Sequence, residues 1–341
     1  MKQRLLARAL QLIGIIFIWS MPVAAAPVTV GYVAAFKGID ESIARADLPA
    51  FTHLNLAFAN PGANGRFAAD GRMLCMADGS QPVSVEKLQQ TVRRLQSGGA
   101  KVLISVGGGS IPGCSGDWQA LLAPDRRAET VAGLIALNDA LGLDGVDVDL
   151  EGQLLTAIDK AGNYTPFIAG LSAALKKRGA LLTVATASYE GGMIPVASIP
   201  YFDFIHLMSY DAIGTGWGTP GAEHSPYAMA EADIDLWLKR GVAPKRLTLG
   251  VPFYGYSFLG APQGLSYREI VEAYGAGLAG TDVIGRICPG CRYISFNSPA
   301  TIEAKAMLAA RKAGGIMVWE LSQDTPDHQL TTAIRRGLKA K

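Results

Sequence analysis

The run Leu143-Asp144-Gly145-Val146-Asp147-Val148-Asp149-Leu150-Glu151-Gly152 decides how the chain is read. As a strand it sorts by parity: Val146, Val148 and Leu150 fall on one face, and Asp147, Asp149 and Glu151 on the other. Asp144 has the wrong parity for the acidic row and is expected at the strand's entrance, as a turn or structural residue. A half-exposed strand would mix such charges with Thr, Lys or Ser. Three acids in register without a base disfavour the strand unless chemistry needs them. Carboxylates two residues apart on a strand stand roughly 6.6 Å apart at the backbone. At an effective dielectric of about 20 they repel by about 2.5 kcal/mol, so a buried row cannot ionise fully at neutral pH. The acids should share a proton. Glu151, last in the row and longest in reach, is the candidate general acid.

Outward from this strand, β and α signals alternate. Apolar strands are expected at Val28–Val33, His53–Ala59, Val102–Val106, Leu181–Ala187, Phe204–Tyr210, Leu247–Phe253 and Ile316–Leu321. Helical spacing marks Val85–Leu95, Asp125–Leu141, Tyr164–Lys177, Ala228–Lys239, Ile302–Lys312 and Gln329–Leu338, several of them stopped by Gly. With the acidic strand fourth, this makes eight βα units and predicts an α/β fold, a (β/α)8 TIM barrel spanning residues 27–341. A modest insertion, about residues 255–298, separates strand seven from its helix. A doubly wound sheet is the alternative, but no Gly-rich phosphate loop follows the first strand.

Site residues of a barrel lie at the C-terminal ends of its strands. Those ends read Ser105-Val106-Gly107-Gly108-Gly109-Ser110 on strand three, Met208-Ser209-Tyr210-Asp211 on strand six, Pro252-Phe253-Tyr254-Gly255 on strand seven and Trp319-Glu320 on strand eight. Tyr32 ends strand one. Asp144, Asp147, Asp149 and Glu151 form Asp-x-x-Asp-x-Asp-x-Glu, which resembles the catalytic strand of the glycoside hydrolase family 18 chitinases. The other motifs resemble that family's Ser-x-Gly-Gly and Met-x-Tyr-Asp in the same order, so the resemblance covers most of residues 27–341.

Asp149 and Glu151 leave one strand in the same direction, so neither can attack the face of the sugar carbon opposite Glu151. The resemblance implies that the substrate's own 2-acetamido oxygen is the nucleophile. It gives Glu151 the role of acid and then base, and Asp149 that of orienting the acetamido N–H. Asp147 would hold the proton that lets Asp149 change partners, and Tyr210 would hold the acetamido oxygen. Tyr32, Ser105, Gly107, Gly108, Met208, Asp211, Tyr254 and Trp319 become substrate-binding residues, with Trp319 under the distorted sugar. Asp211 as an orthodox nucleophile or base is the runner-up. The resemblance implies an endo-acting, retaining hydrolase of β-1,4-linked N-acetylglucosaminides. An endo-β-N-acetylglucosaminidase on N-glycans or wall fragments, or a non-catalytic sugar-binding relative, are the alternatives. Ser110-Ile111-Pro112 stands where many family members carry an aromatic residue, and Trp118 and Trp217 are candidates to stack sugars from nearby loops. The short insertion predicts a shallower, more open cleft.

Lys2, Arg4 and Arg8, the apolar run Ala9–Trp19 and the small residues Pro22–Ala26 read as a cleavable signal peptide over residues 1–26. That predicts a secreted or periplasmic protein without stable membrane association after cleavage. Net charge is +2 with no basic run, which argues against nucleic-acid binding. A hydrophobic fraction of 49% suffices for a large core. Cys75, Cys114, Cys288 and Cys291 in an oxidising compartment point to disulfides. Three pairings are open: Cys288–Cys291 as a local loop would leave Cys75 with Cys114, and a redox Cys-x-x-Cys is the alternative. The four His residues lie far apart, so neither a metal nor a cofactor is expected. The expected partner is an N-acetylglucosamine-containing oligo- or polysaccharide, and the expected state a monomer.

Overall fold

The computed structural model describes residues 27–278 and 280–340; the leader read at residues 1–26 lies outside the described residues. Eight parallel strands close a barrel: β1 (Val28–Ala34), β2 (His53–Ala59), β3 (Lys101–Gly108), β4 (Gly145–Leu150), β5 (Leu181–Thr186), β6 (Phe204–Leu207), β7 (Leu247–Pro252) and β8 (Gly315–Trp319). Each pairs with its neighbours in sequence, and β8 closes onto β1. Around them run α1 (Ile39–Ala44), α2 (Val85–Ser97), α3 (Arg127–Leu141), α4 (Tyr164–Lys176), α5 (Tyr227–Lys239), α6 (Pro299–Lys312) and α7 (Gln329–Lys339). Between β5 and β6 the chain makes only a 3-10 turn, Val196–Tyr201, because Pro195 and Pro200 bar a longer helix. The eight expected units therefore hold for the strands but not for every helix.

All six residues of β4 are buried. Val146, Val148 and Leu150 pack outward into the shell of apolar side chains that includes Leu134, Phe167 and Leu171 from α3 and α4. Asp147 and Asp149 point into the barrel, beside a layer built from Val30, Tyr32, Ala57, Tyr210 and Met317. The alternation in β4 is thus one of chemistry rather than exposure, since both faces are covered. Gly142, in the left-handed region at φ 65°, ends α3 and turns the chain into β4. Asp144 does sit at the strand's entrance. It pairs with Lys101 at 2.8 Å and accepts from the Val102 amide at 2.9 Å, tying β3 to β4 below the site.

Two additions decorate the C-terminal face. After β2, the strands Ala68–Ala69, Arg72–Asp78 and Gln81–Ser84 form a small antiparallel sheet. After β7, Tyr254–Phe258, Gly264–Ser266, Val283–Gly285 and Tyr293–Ser295 form a four-stranded antiparallel sheet. The helix Tyr267–Tyr274 packs beside it, started by a capping box between Ser266 and Glu269. The insertion expected near 255–298 is therefore a folded α+β unit beginning at Tyr254. Cys75–Cys114 ties the first sheet to the loop after β3, and Cys288–Cys291 closes a local loop. Among the described residues no helix is long and apolar enough to cross a membrane.

Candidate active site

Asp147, Asp149 and Glu151 leave β4 in order of decreasing burial. Glu151 lies one residue past the strand, but its backbone is still extended (φ −120°, ψ 162°), so the parity of the row carries on. Asp147 is fully buried and accepts three hydroxyl hydrogen bonds: from Tyr32 at 2.7 Å, Ser105 at 2.7 Å and Thr183 at 2.6 Å. These donors come from β1, β3 and β5. His206 Nε2 is 3.7 Å from the same carboxylate. Burial pushes that imidazole down to about 4, so it is neutral at ordinary pH and supplies no counter-charge.

Asp149 is differently placed. Its Oδ1 is buried with no protein partner, and its carboxyl hydrogen-bonds that of Glu151. Burial, the Glu151 charge and then the Asp147 charge hold Asp149 well above the usual carboxylate range. Burial first, and then the charge on Asp211, push Glu151 up to about 7. Two carboxyls in hydrogen-bond contact cannot both be ionised cheaply, so the pair keeps a proton near neutrality.

The glycines of the β3 end make this packing possible. Gly107 pairs in register with Asp149, and a Cβ there would lie 2.4 Å from the Asp149 carbonyl oxygen. A Cβ on Gly108 would meet the Phe58 ring at 2.9 Å, and one on Gly109 would sit 3.0 Å from Glu151 Oε1. Any side chain at 107–109 would push aside the acids or the ring beside them.

The floor comes from β8, β6 and β2. Trp319 stacks on Phe58 with centroids 5.5 Å apart and meets the edge of Tyr32 at 5.4 Å. Tyr210 is buried, with its hydroxyl 3.9 Å from Met317 Sδ and its ring edge-on to Tyr254. Asp211 adopts φ 62° and accepts from the Tyr254 hydroxyl at 2.5 Å, with His224 Nδ1 at 3.6 Å. A cavity of about 190 Å³ lies among Asp149, Glu151, Met208, Tyr210 and Trp319. It opens into a cleft of about 740 Å³ past Glu151, Tyr189 and Trp217, and into one of about 640 Å³ past Phe58 and Trp319.

Most residues singled out from the sequence converge here. Ser105 and Tyr32 lie beneath the acids, with their hydroxyls committed to Asp147. Trp118 does not reach the cleft: it is buried, and its indole N–H donates to Asn60 at 2.8 Å, so it anchors a loop. Trp217 is half exposed at the cleft wall, with its N–H on the Asp211 carbonyl at 3.0 Å. Sequence reasoning missed Phe58, although a Phe at a strand's C-terminal end is a readable signal. It also missed His224 and Lys305, which support the β6 end from later segments. Lys305 is fully buried and donates to the Ser225 carbonyl, the Ser225 hydroxyl and Asn297 Oδ1, each at 2.7 Å. Ser225 in turn donates to the Ser209 carbonyl at 2.7 Å. Among the described residues, no group of three or more His, Cys, Asp or Glu side chains could hold a metal ion.

Comparison with known proteins agrees with this geometry. The model of the glycosyl hydrolases family 18 matches residues 28–324. The crystal structure of the GH18 chitinase ChiB from the chitin utilization locus of Flavobacterium johnsoniae superposes with a TM-score of 0.77 at 30% identity, covering 92% of this chain and 94% of that one. Nod factor hydrolase protein 1 of Medicago truncatula is 28% identical over 62% of this chain and 66% of its own length. Chitinase 63 of Streptomyces plicatus is 28% identical over 84% of this chain and 56% of its own. The chain thus spans two thirds or less of these two curated relatives. With the acidic row, the glycine run and the β6 and β8 motifs all on one barrel face, the chain belongs to glycosyl hydrolases family 18.

Proposed function

We propose that the protein hydrolyses β-1,4-linked N-acetylglucosaminides within the chain, with retention, using the substrate's acetamido oxygen as nucleophile. The observation that carries this reading is the buried Asp149–Glu151 pair, which hydrogen-bonds internally and leaves one strand over the Trp319–Tyr210 floor. Glu151, held up to about 7, keeps a proton for the leaving oxygen and afterwards takes one from water. The orphaned Oδ1 of Asp149 is the acceptor an acetamido N–H needs. Tyr210, whose hydroxyl is engaged among the described residues by no more than the Met317 thioether at 3.9 Å, can turn to donate to the acetamido oxygen. Asp147, accepting three hydroxyls, is held in place beneath Asp149 and, after burial and Glu151, is a further cause of that neighbour's raised proton affinity. The family resemblance gives Asp147 the further role of holding the proton that lets Asp149 change partners.

Asp211 is the competing nucleophile. Its carboxylate is engaged by Tyr254 and flanked by His224, which favours a binding role. Cleft volume on both sides of the central cavity supports endo action. Export is part of the proposal, supported by the leader pattern at residues 1–26 and the two disulfides. N-terminal sequencing of protein from the medium or periplasm should begin near Ala26 or Pro27.

The mechanism is tested with partly deacetylated chitosan. Every new reducing end should carry an acetamido group, because a free amine has no carbonyl oxygen to attack the anomeric carbon. The first-formed product should be the β anomer, since two inversions occur at one carbon. Frequent glucosamine at new reducing ends, or an α anomer first by NMR, would exclude acetamide participation. Assaying chitin oligomers, peptidoglycan fragments and N-glycans by mass spectrometry separates this substrate class from the wall-fragment and N-glycan alternatives. Binding of all three without cleavage would leave a lectin.

A further inference from the structure

Lys305 stands on the inner face of α6 among Ile302, Ala306 and Ala309, where packing alone would be served by an apolar side chain. An ammonium has three donors. All three are used here, on the Ser225 carbonyl, the Ser225 hydroxyl and Asn297 Oδ1. These acceptors are neutral, and Asp282, Glu223 and Asp233 act on the charge only from further off. Taking a charge out of water is costly, so the use of this lysine is to be sought in what it holds.

It holds the segment 221–225, which lies between the insertion and the barrel. On the insertion side, the Tyr293 hydroxyl accepts from the Gly221 amide at 2.8 Å and donates to the Ala222 carbonyl at 2.9 Å. The His224 amide donates to Ser295 Oγ at 3.0 Å, and Asn297 Nδ2 to the Ser225 carbonyl at 2.9 Å. On the barrel side, the Ser225 hydroxyl donates to the Ser209 carbonyl at 2.7 Å, and the His224 carbonyl accepts from the Ala212 amide at 2.9 Å. The Ser209 hydroxyl is anchored in turn on Asp233 at 2.7 Å. Because β6 stops at Leu207, these bonds do for Ser209 to Ala212 what a sheet would have done. Asp211 needs them most, since a residue other than glycine keeps φ 62° only where its surroundings impose it.

The Ser225 hydroxyl has one hydrogen. Lys305 donates to its oxygen, which leaves that hydrogen for Ser209. The Ser209 carbonyl belongs to the planar peptide that joins Ser209 to Tyr210, so its direction governs where the Tyr210 side chain leaves the backbone. We propose that Lys305 is a positioning residue for the reaction, acting through Ser225 and Ser209 to aim the Tyr210 hydroxyl. The proposal rests on reading Tyr210 as the group that holds the substrate's acetamido oxygen.

The experiment is a mutant cycle on the full-length protein with a chitin tetramer as substrate. Lys305→Met keeps most of the bulk and removes the donors. Ser225→Ala cuts only the link to Ser209 and leaves the ammonium two of its acceptors. Each should lower kcat at least about tenfold, because a misaimed group costs that much at a reacting centre. In a Tyr210→Phe background each factor should shrink to about twofold or less, since the hydroxyl being aimed is gone. A merely structural loss would instead multiply with Tyr210→Phe. If Lys305→Met does not fold, Ser225→Ala carries the test alone. Full turnover by Ser225→Ala, or factors that persist undiminished in Tyr210→Phe, overturns the positioning role. A parent protein that binds the tetramer without cleaving it overturns the hydrolase reading. The same cycle is then read on the tetramer's Kd by titration calorimetry, where factors that vanish in Tyr210→Phe uphold the positioning of Tyr210 and factors that persist overturn it.

Discussion

Replacing Glu151 by Gln should make the protein more stable as it makes it inactive, and the size of the gain follows from the site. In the fold the Glu151 carboxyl is pushed from 4.5 up to about 7, by burial and by Asp211. Between those values the folded protein keeps a proton that the unfolded chain has lost. Stability therefore falls as pH rises through that window, and by about pH 8 the ionised group costs about 3 kcal/mol. Gln has the same shape and never ionises, so it escapes this penalty. For a fold of roughly 300 residues, about 3 kcal/mol corresponds to about 5 °C in Tm. Thermal unfolding of both proteins should give nearly equal Tm at about pH 4 and a higher Tm for Glu151→Gln at about pH 8. Turnover should drop by at least about 100-fold with binding retained. Equal Tm at both pH values, or a variant less stable at high pH, would mean that the carboxyl is solvated. Its assignment as an acid protonated near neutrality would then fail.

Three further outcomes are expected. The pH profile of kcat/KM should fall above about 7, as Glu151 loses its proton; a profile flat to about pH 9 would contradict the assignment. Lys305, lowered by burial to about 7, should make stability rise with pH from about 7 towards the unfolded value of 10.5, because there the unfolded chain binds the extra proton. The deficit of Lys305→Met in urea unfolding should accordingly grow between about pH 7 and about pH 9.5, and a constant deficit would refute this. Alkylation of native protein without reductant, followed by mass analysis, should find no free Cys, and four free thiols in protein from its own compartment would contradict both disulfides and export.

The barrel was legible because its strands are buried on both faces and read as short apolar runs between Gly-stopped helices. The strand ends were less so. The expected strand Phe204–Tyr210 stops at Leu207, because Met208 to Asp211 leave the sheet to line the cavity. The sheet strand Arg72–Asp78 went unread because Met73-Leu74-Cys75-Met76 lacks a strand's alternation: the segment is one wall of a cleft and presents apolar groups to both sides. The helix Gly152–Lys160 begins directly behind Glu151, with Gly152 at φ 54° making the turn, and no capping residue announces it.

What the acidic row could not disclose is how differently its members are treated. Parity put the three carboxylates on one face, and repulsion said they could not all ionise. The partners that hold the innermost of them are distant in sequence. Tyr32 lies 115 residues before Asp147, Ser105 lies 42 before it and Thr183 36 after. Only closure of the barrel brings β1, β3 and β5 around one carboxylate. Three hydroxyl donors satisfy the buried carboxyl without adding charge, and the neutral His206 beside it adds none either. That carboxyl lies two residues from Asp149 on the same strand face and, after burial and Glu151, is a further cause of the rise in Asp149. Burial, before any neighbouring charge, raises both members of the Asp149–Glu151 pair, at the end of the row that substrate can reach. Ser105 is readable as part of a strand-end motif, but only the closed barrel turns its hydroxyl, with those of Tyr32 and Thr183, onto Asp147 rather than into the cleft.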